Sequence, residues 1–258
     1  MAKPPVEAAT VKSAERTVRI LETLAAAPSR LTITELQERM GYPRSSLHAL
    51  IRTLRELKWV EADEAGVRFG VGPHALLSGT AYLDRDPALP YAQETLEDLR
   101  GEIGHTIHYA RRNDWDVLYL ASRESRGSVR VVSRVGRRLP VHITALGQAL
   151  LAELTPGEVL AMLPPELEKY TPNTITERAP FYAKLEEVRT QGYAVEMEQG
   201  TMGISCVAAA VRYRIPATDA ISCSMRAEVA EREIPRVAAA LTEHTQRLAE
   251  TLRRNGIR

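Results

Sequence analysis

The stretch GYPRSSLHALIRTLRELKWVE, Gly41 to Glu61, determines how the N-terminal part of this chain is interpreted. Its large apolar residues recur at spacings of three and four, the pattern of a helix with one buried face. The predicted buried face consists of Leu47, Leu50, Ile51, Leu54 and Leu57. Pro43 suits the first turn of this helix, because the N–H that proline lacks would have no intrahelical partner there.

The same stretch concentrates positive charge on a chain whose formal net charge is only +1. Residues 39 to 58 hold five basic side chains and one acidic side chain, a local excess of +4. These are Arg39, Arg44, Arg52, Arg55 and Lys58 against Glu56. A concentrated patch on a balanced protein favours one anionic docking surface over general binding of polyanions.

A shorter helix is predicted directly before this one, over LTITELQERM. Either Thr32 with Glu35 or Thr34 with Gln37 has the spacing of a capping box, and Gly41 supplies the turn that follows. A short helix, a glycine turn and a longer helix with an exposed basic face form a helix-turn-helix. The second helix of this motif enters the major groove of DNA.

Two short strands are predicted next, at Trp59 to Glu61 and Val67 to Phe69, around a turn at Asp63 to Gly66. They complete a winged helix-turn-helix over residues 11 to 72, behind a flexible tail at residues 1 to 10. Basic residues are common on the solvent face of any amphipathic helix. The short helix, the glycine turn and the hairpin together nevertheless favour contact with double-stranded DNA. The predicted DNA-binding residues are Arg44, Ser45, Ser46, His48, Arg52 and Arg55.

The remainder is predicted to form a linker helix, residues 73 to 87, and a second domain, residues 88 to 258. Helices of that domain are expected at 91–103, from about 145, and at 156–162, 181–191 and 231–253. Strands are expected at 106–111, 117–121, 129–133, 194–197, 206–211 and 220–225. Strands in groups, without regular alternation with helices, favour an α+β domain with one largely antiparallel sheet.

The composition argues against a secreted or membrane protein. The chain has 258 residues, 44% hydrophobic and 26% charged, which is typical of soluble globular proteins. No apolar run approaches the roughly 18 residues of a membrane span, and the first residues lack the pattern of a secretion signal. We therefore expect a cytoplasmic protein whose cysteines, Cys206 and Cys223, are reduced.

Motifs for catalysis, cofactors and metals are not found in the sequence. G-x-S-x-G, H-E-x-x-H, phosphate-loop and Rossmann patterns are missing, so we predict neither an enzyme nor a bound cofactor. His105 and His108, in HTIH, suggest a metal site at first sight. On a strand, however, residues three apart point to opposite faces, so no metal is predicted.

Four segments, in this order, carry a resemblance: VKSAERTVRILETLA, GYPRSSLHALIRTL, VGRRLPVHITALGQALLA, and GYAVEMEQGTMGISCVAAAV followed by AISCSM. They are similar to the IclR-type bacterial transcriptional regulators, over residues 11 to 255. The resemblance implies a winged helix-turn-helix joined by a linker helix to a GAF-like effector-binding domain. It also implies a homodimer or homotetramer on a palindromic operator. The predicted function is a DNA-binding regulator, more specifically a repressor, whose operator affinity is modulated by a bound effector.

The resemblance places the effector pocket at the loop before the ALG helix, the acidic strand after GY, the cysteine of GISC and the serines of AISCS. Neighbouring positions complete the set of predicted effector-binding residues. They are Val129, Val131, His142, Ala145, Leu146, Glu196, Ile204, Cys206, Ser222 and Ser224. The sequence departs from the family where Met225 and Arg226 replace a usual Gly-Pro, where YRIPATD replaces an Asp/Gly turn, and where Glu196 replaces a common Asp.

The class of effector is suggested by Thr144 and Glu196. Thr144 can cap the helix that opens at Ala145, and the free N–H groups of a first helical turn favour a carboxylate. Glu196 beside a bound acid would raise the pKa of one of the two carboxyl groups. We therefore expect a small hydroxy-, keto- or aromatic acid rather than a dicarboxylate.

Other interpretations of these residues stay open at this point. Cys206 in an apolar strand is typical of an inert core cysteine, and a structural hydrogen bond suits His142 as well as a ligand does. Ser222 and Ser224 share one strand face, where their hydroxyls could also be satisfied inside the sheet. The basic region from Arg123 to Arg138 could dock protein or RNA, although it lacks the aromatic residues that stack on unpaired bases. The second domain could also serve oligomerisation without a ligand.

Overall fold

The computed structural model describes residues 11–125 and 135–258. The chain divides into two compact units, one ending at Arg85 and the other spanning Asp86–Arg258, and each has its own hydrophobic core. The predicted tail and the predicted strand at 129–133 lie outside the described residues. No helix within the described ranges is long and apolar enough to cross a membrane.

The first unit combines helices with a small antiparallel sheet of strand order β1-β3-β2. Its core contains Ile20, Leu36, Leu47, Ile51 and Val60, all nearly inaccessible to solvent. The elements are α1 (Lys12–Ala26), β1 (Leu31–Thr32), α2 (Ile33–Met40), α3 (Arg44–Glu56), β2 (Val60–Ala62), β3 (Arg68–Val71) and α4 (Pro73–Asp84).

The turn between α2 and α3 has the predicted chemistry. Thr32 Oγ1 accepts a hydrogen bond from the Glu35 N–H at 3.2 Å, and the Glu35 carboxylate accepts one from the Thr32 N–H at 2.6 Å. The first of the two possible capping boxes is therefore the one that forms. Gly41 ends α2 in the left-handed region, with φ at 66°, where a side chain would be strained.

The buried face of α3 is largely as predicted, with one error. Leu47, Ile51 and Leu54 are buried. Leu57 is 55% exposed, so its assignment to the buried face was wrong. The reason is that α3 ends at Glu56 and the chain turns away at Lys58, whose φ is 59°.

The predicted wing is present as β2 and β3, displaced by about one residue along the chain. The Asp63 carboxylate closes the turn, because its Oδ1 accepts hydrogen bonds from the N–H groups of Val67 at 2.9 Å and Arg68 at 3.0 Å. Strand β1, which pairs with β3, was not predicted. Its two residues are too few to show an alternating pattern.

The second unit is an α+β domain, as predicted. Within the described residues its sheet has the strand order β6-β5-β4-β9-β8-β7, and every pairing is antiparallel. The first elements are α5 (Leu89–Ile103), β4 (Thr106–Asn113), β5 (Asp116–Arg123), β6 (Arg138–Pro140), a 3-10 helix (Val141–Ile143) and α6 (Ala145–Leu151). They are followed by α7 (Pro156–Met162), α8 (Arg178–Gln191), β7 (Ala194–Met197), β8 (Ile204–Val211), β9 (Asp219–Arg226) and α9 (Ala227–Arg254).

The two faces of this sheet are covered by different helices. On one face Ala208 and Ala220 belong to a cluster with Leu146 of α6 and Leu185 of α8. The other face packs against α5 and α9. Small side chains on the first face allow α6 to lie close to the sheet. The predicted effector site lies on this face, beside α6.

A buried ionic network lies on the face away from α6. The Arg111 guanidinium donates to both carboxylate oxygens of Asp219, at 2.6 and 2.8 Å, and also to Asp86. The hydroxyls of Tyr109 and Tyr213 donate to Asp219 as well. Although burial opposes it, these hydrogen bonds hold the pKa of Asp219 below its usual value. The carboxylate is therefore ionised and satisfied in the core.

Candidate DNA-binding surface and effector site

The exposed face of α3 carries unneutralised positive charge. Arg44, His48, Arg52 and Arg55 are all exposed. Among the described residues, none of these three arginines forms an ion pair with an acidic side chain. The charge of the predicted patch is thus available to an external anion.

Two arginines near the wing pair with acidic side chains. Arg30 pairs with Glu61, and Arg68 lies 3.5 Å from Glu35. These pairs connect the wing to the rest of the unit.

The C-terminal half of α3 borders an open cleft of about 570 Å³. Its lining residues are Arg52, Arg55, Glu56, Lys58, the three residues of β2, which include Glu61, and Pro73. The Arg55 guanidinium also lies 5.8 Å from the centre of the Phe69 ring on β3, close enough for a cation–π contact. Arg55 is therefore partly oriented by the wing, which suits contact with the DNA backbone.

Ser46 differs from the other predicted DNA-binding residues. It is half-buried, and Arg16 of α1 donates a hydrogen bond to its hydroxyl at 3.4 Å. The same guanidinium lies 5.0 Å from the centre of the Tyr42 ring. Ser46 therefore helps to hold α1 against α3, and a role for it in base recognition stays a prediction.

In the second unit, a group of polar side chains lies on the sheet face that carries α6. Pairing places Cys206 of β8 between Ser224 of β9 and Glu196 of β7. The Cys206 Sγ lies 3.2 Å from the Ser224 Oγ. Ser222, two residues before Ser224, shares this face and is buried. The structure thus brings together four of the predicted effector-binding residues.

Glu196 is a buried carboxyl group without a basic side chain among its hydrogen-bond partners in the described chain. Its Oε1 accepts hydrogen bonds from the N–H of Gln199 and, at 3.1 Å, from that of Gly200. Burial raises the pKa of Glu196 to about 7, although the two N–H groups act in the opposite direction. Burial also raises the pKa of the Cys206 thiol, so that sulfur stays protonated. Around neutral pH, this site therefore gains or loses a proton readily.

The opening of α6 has the predicted cap. Thr144 Oγ1 accepts a hydrogen bond from the Gly147 N–H at 3.0 Å. A side chain on Gly147 would lie 2.2 Å from the Val141 backbone, so glycine allows α6 to contact the 3-10 helix. Gln148 joins α6 to the Glu196 loop, because its Nε2 donates to Gln199 Oε1 at 2.7 Å.

His142 has a set of structural contacts. Its Nε2 donates to the Glu168 carbonyl at 2.9 Å, and its ring stacks on Trp115 with the ring planes at 19°. Burial lowers the pKa of His142, which keeps the ring neutral. These contacts support a structural role for His142. Its Nδ1 has no hydrogen-bond partner among the described residues, and contact with a ligand stays a prediction.

The remaining predicted residues of the effector site differ in how they are placed. Ala145 and Leu146 are buried at the start of α6. Ile204 is half-buried and lies two residues before Cys206 on β8, so the two side chains point to the same face of the sheet. Val129 and Val131 lie outside the described residues.

His108 is a polar residue of this face that the sequence analysis did not select. It lies on β4, directly opposite Ser222 of β9 and Ser122 of β5. The side chain of His105 lies on the other side of the sheet, since its Nε2 is 3.9 Å from Glu233 of α9. His108 can be assigned to this site only through its pairing with Ser222. That pairing depends on the strand register, which the sequence alone does not supply.

Fold and site together define a class: a winged helix-turn-helix protein with a separate domain that carries a group of polar side chains on one face of its sheet. The model of the IclR helix-turn-helix domain matches residues 13–64, and that of the bacterial transcriptional regulator IclR C-terminal domain matches residues 80–250. The chain belongs to the IclR family of DNA-binding transcriptional regulators, which has an effector-binding C-terminal domain. Because the family consists of transcriptional regulators, the prediction that the chain is not an enzyme is confirmed.

Curated relatives include two regulators from Escherichia coli (strain K12). The HTH-type transcriptional regulator XynR is 30% identical over 202 residues, covering 78% of this chain and 80% of the relative. The transcriptional repressor IclR is 28% identical over 205 residues, covering 78% of this chain and 74% of the relative.

Solved structures show the same fold. An IclR transcriptional regulator from Alicyclobacillus acidocaldarius has a TM-score of 0.82 at 29% identity, covering 94% of this chain and 99% of that chain. An IclR homologue from Microbacterium hydrocarbonoxydans, complexed with 4-hydroxybenzoate, has a TM-score of 0.75 at 23% identity, covering 93% and 99%.

Proposed function

We propose that this protein is a repressor whose affinity for a palindromic operator is changed by a small organic acid bound on the α6 side of the C-terminal sheet. The observation that carries this proposal is the buried polar group formed by Glu196, Cys206, Ser222 and Ser224. A sheet face that served only as core would be expected to be apolar, because burying polar groups costs free energy. A ligand that hydrogen-bonds to them explains their presence.

An acid suits this group for two reasons. The Ser224 hydroxyl can donate to a carboxylate oxygen, and the Ser222 hydroxyl can pair with a neighbouring polar group of the ligand. Burial keeps the pKa of Glu196 at about 7, so Glu196 can share a proton with a bound acid instead of repelling it. The complex of the Microbacterium homologue with 4-hydroxybenzoate supports an aromatic hydroxy acid as one member of the class. The N–H groups of the first turn of α6 that the Thr144 cap leaves unpaired are expected to assist.

DNA recognition is assigned to the exposed face of α3. Arg44, Ser45 and His48 lie at its leading end, where the recognition helix of a helix-turn-helix contacts bases. Arg52 and Arg55 lie further along, beside the cleft, where phosphate contacts are expected. The repressor assignment is supported by the similarity to the repressor IclR.

A homodimer or homotetramer is part of the proposal. Helix α4 exposes Leu76 (69%), Leu77 (64%) and Tyr82 (49%), and no residue of it is buried. Covering this apolar surface with a second copy would remove it from water, which favours association. Two half-sites of a palindrome then match the two-fold symmetry of the protein.

The proposal is tested by selecting operator fragments from a random DNA pool with the full chain, and then measuring operator affinity with and without added acid. The acids are lactate, pyruvate, benzoate and 4-hydroxybenzoate. We expect at least one to change the affinity about tenfold or more, within the usual range of allosteric coupling. In vitro transcription from a promoter that contains the selected fragment should decrease when the protein is added.

The matched variants are Ser224→Ala and Ser205→Ala. Both remove a buried hydroxyl from a central strand, but Ser205 lies on the opposite face from Cys206. The response to the acid should be lost in Ser224→Ala and kept in Ser205→Ala. If no acid changes the operator affinity, the second domain has another role, such as oligomerisation or protein docking.

A further inference from the structure

His108 presents a buried nitrogen atom that the proposed function has not used. The residue is 1% exposed, and its Nδ1 lies 3.0 Å from the Ser122 hydroxyl. Its Nε2 has no hydrogen-bond partner among the described residues. Leaving a buried polar atom unpaired costs free energy, and native proteins contain few such atoms. A ligand atom that pairs with Nε2 on binding accounts for it.

The position of His108 links it to the proposed effector site. The register of β4 and β9 places it opposite Ser222, and the two-residue period of a strand places both on the face that carries Ser224. Its ring packs edge-on against Tyr119, with 5.4 Å between ring centres. Tyr119 belongs to the same core cluster as Leu146 of α6. His108 therefore lies on the α6 side of the sheet.

The ring of His108 is neutral at physiological pH. Burial lowers its pKa to about 4. A neutral imidazole has one donor and one acceptor nitrogen. The Ser122 hydroxyl can either donate to Nδ1 or accept from it, so Nε2 can serve as donor or as acceptor. This adaptability suits a hydroxyl or a carbonyl oxygen, whereas a neutral ring supplies no positive charge for a carboxylate.

We propose that His108 Nε2 binds a second polar group of the effector, while the Ser224 and Cys206 side chains bind its acidic end. This inference rests on the proposed function and narrows it to one class of acid. His108 pairs with Ser222 on the adjacent strand, and Ser224 lies two residues further along that strand. This offset corresponds to roughly 6.5 Å along the strands. A para-substituted aromatic ring spans a comparable distance. The effector is therefore an acid whose hydroxyl or carbonyl group lies across a ring from its carboxylate.

The test is calorimetric titration of the full chain with 4-hydroxybenzoate and with benzoate, which differ only in the para hydroxyl. The wild type should bind 4-hydroxybenzoate about tenfold or more tightly than benzoate, because a site built to pair with a hydroxyl discriminates against its absence. His108→Phe fills the space without a hydrogen bond. It should lose this preference, so that the two acids bind the variant with affinities within about twofold of each other.

Two further variants make the result specific. His105→Phe is the same substitution three residues away on the other side of the sheet, beside Glu233. It should keep the wild-type preference. His108→Gln retains a hydrogen-bonding side chain and should keep part of it. If His108→Phe and His108→Gln fail to fold, the wild type still decides the question through its preference and through nitrogen NMR of labelled histidine, in which one Nε2 signal should move when 4-hydroxybenzoate binds.

The outcomes separate this inference from the proposed function. A folded His108→Phe that discriminates as the wild type does overturns the role of His108 alone. So does a wild type that binds both aromatic acids equally, in a manner that depends on Ser224. Binding of lactate or pyruvate but of neither aromatic acid overturns the ligand class and leaves the proposed function standing. Binding of no acid overturns both.

Discussion

Arg44 and Arg55 lie at opposite ends of the exposed face of α3, and their surroundings suggest different roles. Arg44 is the first residue of the helix, whereas Arg55 is in the last turn, over the Phe69 ring. We predict that Arg44→Ala changes which operator variants are tolerated, at a cost of roughly 1–3 kcal/mol in discrimination at one base position. Arg55→Ala should weaken binding to all sequences alike and reduce its dependence on salt.

The measurement is fluorescence anisotropy of the two variants with a set of single-base operator variants at several salt concentrations. Glu22→Gln, a change at an exposed residue of α1, serves as a control that should leave both properties unchanged. Interchangeable effects of the two arginine substitutions would contradict the division into base and phosphate contacts.

Glu196 should make the stability of the protein depend on pH in an unusual direction. Burial raises its pKa from 4.5 to about 7, so the folded state holds this proton more tightly than the unfolded state. The resulting stabilisation is fully present below about pH 4.5 and is lost as the pH rises through 7. It amounts to roughly 3 kcal/mol. Glu196→Gln should remove this dependence, and the variant should be more stable than the wild type at pH 8.

Urea unfolding at pH 5 and pH 8 tests this expectation through the difference between wild type and variant. Glu243→Gln, on the exposed side of α9, provides the matched change at a residue whose side chain is 67% exposed. It should preserve the wild-type pH dependence. An equal pH dependence in Glu196→Gln and wild type would show that Glu196 is ionised throughout this range.

At the scale of elements, the Asp219 network joins β4 and β9 to the start of α5. Arg111 of β4 bonds Asp219 of β9 and also Asp86, whose Oδ1 accepts a hydrogen bond from the Ala88 N–H at 2.9 Å. We predict that Asp219→Ala lowers the free energy of unfolding by about 3 kcal/mol, because it removes the main partner of the half-buried Arg111 charge and leaves the Tyr109 and Tyr213 hydroxyls without their acceptor. Tyr213→Phe, which removes one donor to Asp219, should cost about 1 kcal/mol.

Chemical denaturation at pH 7 measures both changes. The exposed pair of Arg247 and Glu243 on α9 offers the comparison, since both side chains are more than half exposed and such pairs contribute little. If Asp219→Ala proves as mild as Glu243→Ala, the network is not an important source of stability.

The same elements show what the sequence could and could not predict. The winged helix-turn-helix was predictable because its signals are local: the Thr32 capping box, the Gly41 turn and the α3 periodicity each lie within a few residues. The Thr144 cap was predictable for the same reason. By contrast, the Arg111–Asp219 pair and the placement of His108 depend on which strands are neighbours and in what register. That information belongs to the tertiary fold, and no single segment contains it.

The effector-binding residues could be predicted from the sequence only in part. Cys206, Glu196 and Ser224 were selected by family resemblance, and the structure places them side by side across three strands. Local pattern alone would have left Cys206 as a core cysteine. His142 shows the opposite case, since its proximity to the motif in sequence suggested a ligand contact, whereas its observed partners are Glu168 and Trp115.

At the scale of the whole molecule, tight binding to an operator should require two copies of the chain. One recognition helix with a few unpaired arginines makes few phosphate contacts, whereas two linked units act at a high effective concentration on adjacent half-sites. We predict that a fragment of residues 1–87 binds a single half-site and the full operator with similar, weak affinity. The full chain should bind the operator at least a hundredfold more tightly than the half-site.

Leu76→Glu with Leu77→Glu, on the exposed surface of α4, should bring the full chain toward the behaviour of the fragment if α4 contributes to the dimer. Anisotropy titrations combined with sedimentation analysis measure affinity and association together. Equal operator affinity for the fragment and the full chain, with both monomeric, would show that a single unit suffices.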